Sequence, residues 1–216
     1  MPDLADQITA ILLISLRIAP TFAFAPPFTL IRVPASVRLL LSIGLATWLV
    51  AANPAQTWQS DFGSRGLFVT AASELFMGIG LALALQLAFA ALLTAGRTID
   101  IQAGFGLAMI ADPTTQAQMP LVGTLFVYAA AAVFFAIGGP ADLLAIWSQS
   151  VAQVPLGSAT ITGNLPGLTA YMSAVFIMAF GVAGLMMLVL FLIDLAITFM
   201  SRTMPQMNVL ILGFQV

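Results

Sequence analysis

The stretch LFVTAASELFMGIGLALALQLAFAALLTA, residues 67–95, decides how this chain is read. It holds no proline and one charge, Glu74, and its apolar residues cover every helical face rather than one stripe. A helix that is apolar all round belongs in lipid or inside a larger apolar assembly. About 20 helical residues cross a bilayer core, so this run can span one, and its excess length must tilt, bend or project beyond the apolar slab.

Comparable runs lie on both sides of it, at Ile8 to Ala25, Val37 to Ala52, Leu121 to Ile137 and Leu168 to Met200. Helix breakers separate them: Pro26-Pro27, Asn53-Pro54, Gly138-Gly139-Pro140 and the segment Gly163 to Gly167. The pattern predicts an all-α polytopic protein of about five long, bent helices arranged as hydrophobic hairpins. No internal repeat, low-complexity tract or linker divides residues 1–216, so one helical membrane-type domain is expected. A last apolar run, Val209 to Val216, is too short to span anything. It points to a missing or shortened C-terminal hydrophobic segment, or to a tail that docks on a partner.

Composition supports the same class. Of 216 residues 61% are hydrophobic and 6% charged, whereas a soluble domain carries about 25% charged residues. Six arginines, Arg17, Arg32, Arg38, Arg65, Arg97 and Arg202, face eight acids, for a net charge of −2. Without a basic run there is nothing to neutralise phosphates, so nucleic acid is not an expected partner, while membrane lipid is. Zero cysteine and zero histidine remove thiol nucleophiles, most zinc sites and the commonest general base. No catalytic residue, metal site or cofactor is expected. The amino terminus MPDLADQ lacks a basic n-region, so the first run reads as a retained helix rather than a cleaved signal. Arginine placement favours an amino terminus outside, with the breaks carrying Arg32, Arg97 and Arg202 inside.

The charges within apolar helices are the most informative residues. An Asp or Arg at a helix centre costs roughly 2.5 to 3.5 kcal/mol to insert. Arg17, Glu74 and Asp194 are in that position, and each needs a partner or a function. One reading is a proton or ion relay. The favoured reading is a set of buried pairs or interchain salt bridges that fix helix register, with Arg17 and Glu74 as the preferred pair. Small residues at helical spacing, Gly78 with Ala82 and Gly181 with Gly184 and Leu185, predict close helix packing. Most of the eleven methionines are read as gap fillers, with Met109 and Met119 as the exceptions.

The segment Ala95 to Pro120, AGRTIDIQAGFGLAMIADPTTQAQMP, breaks the pattern. It carries Arg97 and Asp100, then Gly104 and Gly106 interleaved with Phe105, Leu107, Met109 and Ile110, and ends in Asp112-Pro113. It is too apolar for a free loop and too glycine-rich for a stable interior helix. Two readings stay open on spacing alone. It forms a re-entrant or pore-facing segment, or an ordinary helical hairpin with Asp112 as a cap.

Several short motifs occur in one order along nearly the whole chain: Arg17, PPFTLIRVPASVR at 26–38, ELFMGIG at 74–80, and AGRTIDIQAGFGLAMIADP at 95–113. Phe134-Phe135, SVAQVPLG at 150–157 and RTMPQMNVLILG at 202–213 follow. In this the chain resembles the FliR/SpaR-like family of flagellar and type III secretion export-gate proteins, the SctT class. The resemblance implies a core component of the export gate that joins FliP- and FliQ-like subunits, and FlhB- and FlhA-like export components, around a channel for unfolded protein substrates. It implies a place in the bacterial inner membrane, at the flagellar basal body or secretion apparatus, partly projecting to the periplasmic side. It also implies that Gly104, Phe105, Gly106, Leu107, Met109, Ile110, Asp112 and Pro113 form a channel plug, which tips the two open readings toward gating.

Two other classes compete. A self-contained secondary transporter would use Arg17, Glu74 and Asp194 as ion-coupling residues, but the paired halves common in such proteins are not visible. An intramembrane aspartyl hydrolase would need two acids in defined contexts; Asp100 and Asp194 exist without the accompanying Gly-x-Gly-Asp element.

Overall fold

A computed structural model of the chain describes residues 4–30, 33–57, 66–103, 120–158 and 165–203. They form seven helices, α1 (Leu4–Phe24), α2 (Ala35–Ala52), α3 (Pro54–Thr57), α4 (Leu67–Gln102), α5 (Leu121–Ala136), α6 (Gly139–Gln153) and α7 (Leu165–Thr203). No strand occurs among the described residues. The protein is an all-α polytopic membrane protein. Four helices are long and apolar enough to cross a bilayer, and α5 with α6 adds a fifth if that bent pair counts as one span.

The boundaries follow from local chemistry. Helix α1 stops ahead of Pro26-Pro27, and α2 starts directly after Pro34, whose fixed φ suits a helix entrance. At the end of α2, both the backbone N–H and the side-chain amide of Asn53 donate to the Leu49 carbonyl, and Pro54 opens α3. Between α5 and α6, Gly138 takes φ +87°, a left-handed conformation that suits glycine. Pro140 then lies in the first turn of α6, and the two axes bend by 73°. A β-carbon on Gly139 would sit 2.3 Å from the Phe134 ring, so this corner is closed by an aromatic side chain against bare backbone.

Two sequence-based expectations need correction. The segment after Ala95 is helical through Gln102, so Arg97 and Asp100 are helix residues and α4 runs about two turns past the expected end. The break at Gly138 to Pro140 ends one helix and immediately begins another, which hydropathy alone missed because α6 carries Asp142, Ser148, Gln149 and Ser150.

The chain forms two compact units, residues 1–87 with 131–168 and residues 88–130 with 169–216. Helices α4, α5 and α7 each supply residues to both. The first has a layered core in which Leu13, Ile14 and Ile18 of α1 meet Leu49 of α2, Trp147 and Val151 of α6, and Leu156. A chain of rings, Phe28 to Phe22 at 4.8 Å and Phe22 to Trp147 at 5.6 Å, closes one side of it. Arg38 pins the intervening turn by donating to the carbonyls of Val33 and Ala23, the latter at the C-terminal end of α1 where a cation is favoured.

In the second unit, Ala91 and Ala95 of α4 face Ala179 and Ala183 of α7, with Val175 and Met187 beside them. Alanines let two helix backbones approach closely. The expected packing at Gly181 and Gly184 is therefore displaced by one helical face: both glycines are open, and the alanines make the contact. Gly78, by contrast, packs as expected.

Candidate functional site

Arg17 and Glu74 meet in the first unit as a fully buried ion pair. Gly78 makes this possible. Any β-carbon there would lie 2.5 Å from the Arg17 carbonyl oxygen, so α4 rests directly on the backbone of α1 at that point. Glu74, one turn earlier on the same face of α4, is thereby brought to the guanidinium. Both Nε and Nη2 of Arg17 reach Oε2 of Glu74 at 2.6 Å. The other carboxylate oxygen, Oε1, accepts the backbone N–H of Gly157 at 3.2 Å.

The remaining guanidinium nitrogen completes the site. Nη1 donates to the Ser150 carbonyl, the Ser150 hydroxyl and the Val154 carbonyl at 3.1 to 3.2 Å. These oxygens belong to the last turn and C-cap of α6, where the helix dipole favours a cation. The turn beyond is held as well: Leu156 donates its N–H to the Gln56 carbonyl, and Gly157 takes φ +80° to aim its own N–H at Glu74. One ion pair therefore fastens α1, α4, α6 and the turn after α6. Both charges are opposed and both carboxylate oxygens are occupied, while Nη2 touches Oε2 as an ion pair without hydrogen-bond alignment, an arrangement that suits a structural clamp better than a proton carrier.

Asp100 forms a second clamp, in the second unit. It is buried, and its two carboxylate oxygens accept the backbone N–H groups of Val122 and Gly123 at 3.0 to 3.3 Å. These donors lie in the first turn of α5. A carboxylate from α4 thus supplies the N-cap of a different helix. Contact between the helices is equally close at Gly96, where a β-carbon would lie 2.2 Å from the Gly123 Cα. Asp100→Ala is expected to cost about 1 kcal/mol, within the 0.5–2 range of lost caps, read as a lower melting temperature in detergent. Asp100→Asn should retain much of it, because an amide oxygen still accepts.

The other expected site residues are dispersed. Arg97 and Asp194 are exposed, and no described residue pairs with either side chain. Gly104, Phe105, Gly106, Leu107, Met109, Ile110, Asp112 and Pro113, together with Met119, Arg32, Arg65 and the Val209 to Val216 run, lie outside the described residues.

A family model described as bacterial export proteins, family 1, matches residues 8–216. The chain belongs to that family. Among similar proteins, the flagellar biosynthetic protein FliR of Bacillus subtilis (strain 168) is 30% identical over 99% of this chain and 83% of its own length. The FliR proteins of Escherichia coli (strain K12) and Aquifex aeolicus (strain VF5) are each 26% identical. They cover 92% and 97% of this chain and 76% and 81% of their own lengths. The resemblance read from the short motifs is thereby borne out.

The bacterial export family motifs gain a physical meaning from the geometry. Arg17, ELFMGIG and SVAQVPLG, far apart in sequence, are the three faces of one buried clamp. Sequence reasoning on charges proposed the Arg17 and Glu74 pair but missed Ser150, Val154 and Gly157. Apart from the Ser150 hydroxyl, they act through backbone carbonyls and one N–H, which carry no side-chain signal. The Asp100 cap was missed for a related reason, since its partners are the amides of Val122 and Gly123.

Proposed function

We propose that this export-family protein is a core, non-enzymatic subunit of a flagellar-type (type III) export gate. With FliP- and FliQ-like subunits, and alongside FlhB- and FlhA-like components, it forms a gated channel for unfolded export substrates. Its place is the bacterial inner membrane, with part of the assembly projecting to the periplasmic side. One observation carries the reading beyond family membership. The apolar span Thr169–Arg202 of α7 is 34 residues long, about 51 Å at 1.5 Å per residue. Fitting it within a hydrocarbon core of about 30 Å would require a tilt of about 54°, beyond the usual range of about 0–40°. Its large side chains, among them Phe176, Ile177, Phe180, Leu185, Phe191 and Phe199, are exposed along the whole length. Lipid alone leaves part of that surface in water; neighbouring apolar subunits cover it.

Within this assembly, Phe105, Leu107, Met109 and Ile110 act as the apolar plug of the closed channel, with Gly104 and Gly106 allowing it to move aside and Asp112-Pro113 bounding it. An apolar constriction excludes ions by dewetting. Deleting residues 104–112 in cells that make the complete complex is expected to raise ion conductance well above that of cells with the intact chain. Unchanged leakage, with the complex present at normal yield, would discard the plug. A self-contained transporter fits less well, because Arg17 and Glu74 are locked into one buried clamp.

A further inference from the structure

The C-terminal third of α7 carries a polar stripe whose carboxylate no described residue uses. Asp194, Thr198 and Ser201 fall within about 60° of one another around the helix, at 100° per residue. Leu190, Phe191, Leu195 and Ile197 surround them. Asp194 is exposed, and no described residue reaches its carboxylate. The hydroxyls do not help it: Thr198 Oγ1 donates to the Asp194 backbone carbonyl and Ser201 Oγ donates to the Thr198 carbonyl, each at 2.7 Å. Both hydroxyl protons are thereby committed to the helix backbone, so every polar atom the stripe still offers is an acceptor. An acceptor-only stripe bearing one full negative charge, set in an apolar helix, calls for a cationic donor with several N–H groups. Among side chains, the guanidinium fork of arginine matches that pattern better than the point charge of lysine.

We infer that Asp194, with Thr198 and Ser201, is the docking point for an arginine carried on an apolar helix of a neighbouring, different subunit. This rests on the export-gate reading above and adds to it a contact residue and the chemistry of its partner. It also separates the roles of the acids: Glu74 and Asp100 hold the chain together, whereas Asp194 holds it to its neighbour.

The test is recovery of the complex with the FliP- and FliQ-like subunits from detergent, for wild type and for Asp194→Asn, Asp194→Leu and Asp194→Glu. Helicity and melting of each chain purified alone are followed in parallel. Asp194→Asn and Asp194→Leu should lower the recovered complex about tenfold or more while leaving the lone chain as stable as wild type; Asp194→Glu should retain most of it. Asp194→Arg, combined with aspartate placed in turn at each arginine in the apolar helices of the partners, should restore assembly at one position. Undiminished complex with Asp194→Asn and Asp194→Leu would overturn the inference alone, as would a destabilised lone chain, loss of self-association in place of the mixed complex, or no rescue at any arginine. Failure of the wild-type chain itself to recover either partner would overturn the export-gate reading and this contact with it.

Discussion

Glu74→Ala is expected to destabilise the chain by about 3 to 5 kcal/mol, the usual cost of removing one partner of a buried ion pair. The reason is the fate of Arg17, whose side chain is 1% exposed and whose charge would be left without a counterion among apolar neighbours. The Gly157 N–H would lose its acceptor at the same time. Thermal unfolding in detergent measures the effect. The second arm is the double substitution Arg17→Met with Glu74→Leu, which removes the charge along with its partner. It should recover most of the loss, since well-packed apolar residues often replace a buried pair at little cost. If the double variant is as unstable as the two single losses added together, the clamp owes its strength to the Ser150, Val154 and Gly157 contacts rather than to charge compensation. In cells, Glu74→Ala should abolish incorporation into the export complex before any change in gating is seen. Normal complex yield with altered export would reverse that order.

Gly96→Leu should produce the second large effect. A β-carbon at this position would overlap the Gly123 Cα at 2.2 Å and the Gly123 nitrogen at 2.4 Å. These are backbone atoms within a helix, so no rotamer change relieves the clash and α4 and α5 must separate. Separation also withdraws Asp100 from the Val122 and Gly123 amides, since they are held by the same approach. The expected loss exceeds the usual range of about 1–3 kcal/mol for an overpacked core, and even Gly96→Ala should be poorly tolerated. Gly181→Leu is the control. Its surroundings are open, so the lone chain should melt as wild type does. A Gly96→Leu chain that melts like the control would refute the close approach.

How far the sequence leads depends on which kind of atom does the work. The length and apolarity of residues 67–95 were enough to read α4 as a membrane-type helix, and Pro26-Pro27 and Asn53-Pro54 marked helix ends that the structure keeps. Arg17 and Glu74 stood out because an apolar helix has no use for an unpaired charge. The short helix α6 did not stand out, because its polar residues lower its hydropathy although Leu143, Trp147 and Val151 are buried. The extension of α4 past Ala95 was equally hidden. Gly96 counts against a helix by propensity, and only the close approach of Gly123 makes the absence of a side chain an advantage there.

The amino-acid sequence by itself determined the class of the protein, its spans and the presence of charges that need partners, because these depend on side-chain chemistry summed over a local stretch. The tertiary structure alone decided that Arg17 closes onto the end of α6, that Asp100 caps α5, and that Asp194 is left facing outward without a described partner. Those outcomes depend on which backbone amides and carbonyls arrive within about 3 Å of a charged group. Every residue but proline carries the same backbone groups, so their positions are set by helix packing and leave no mark in residue identity.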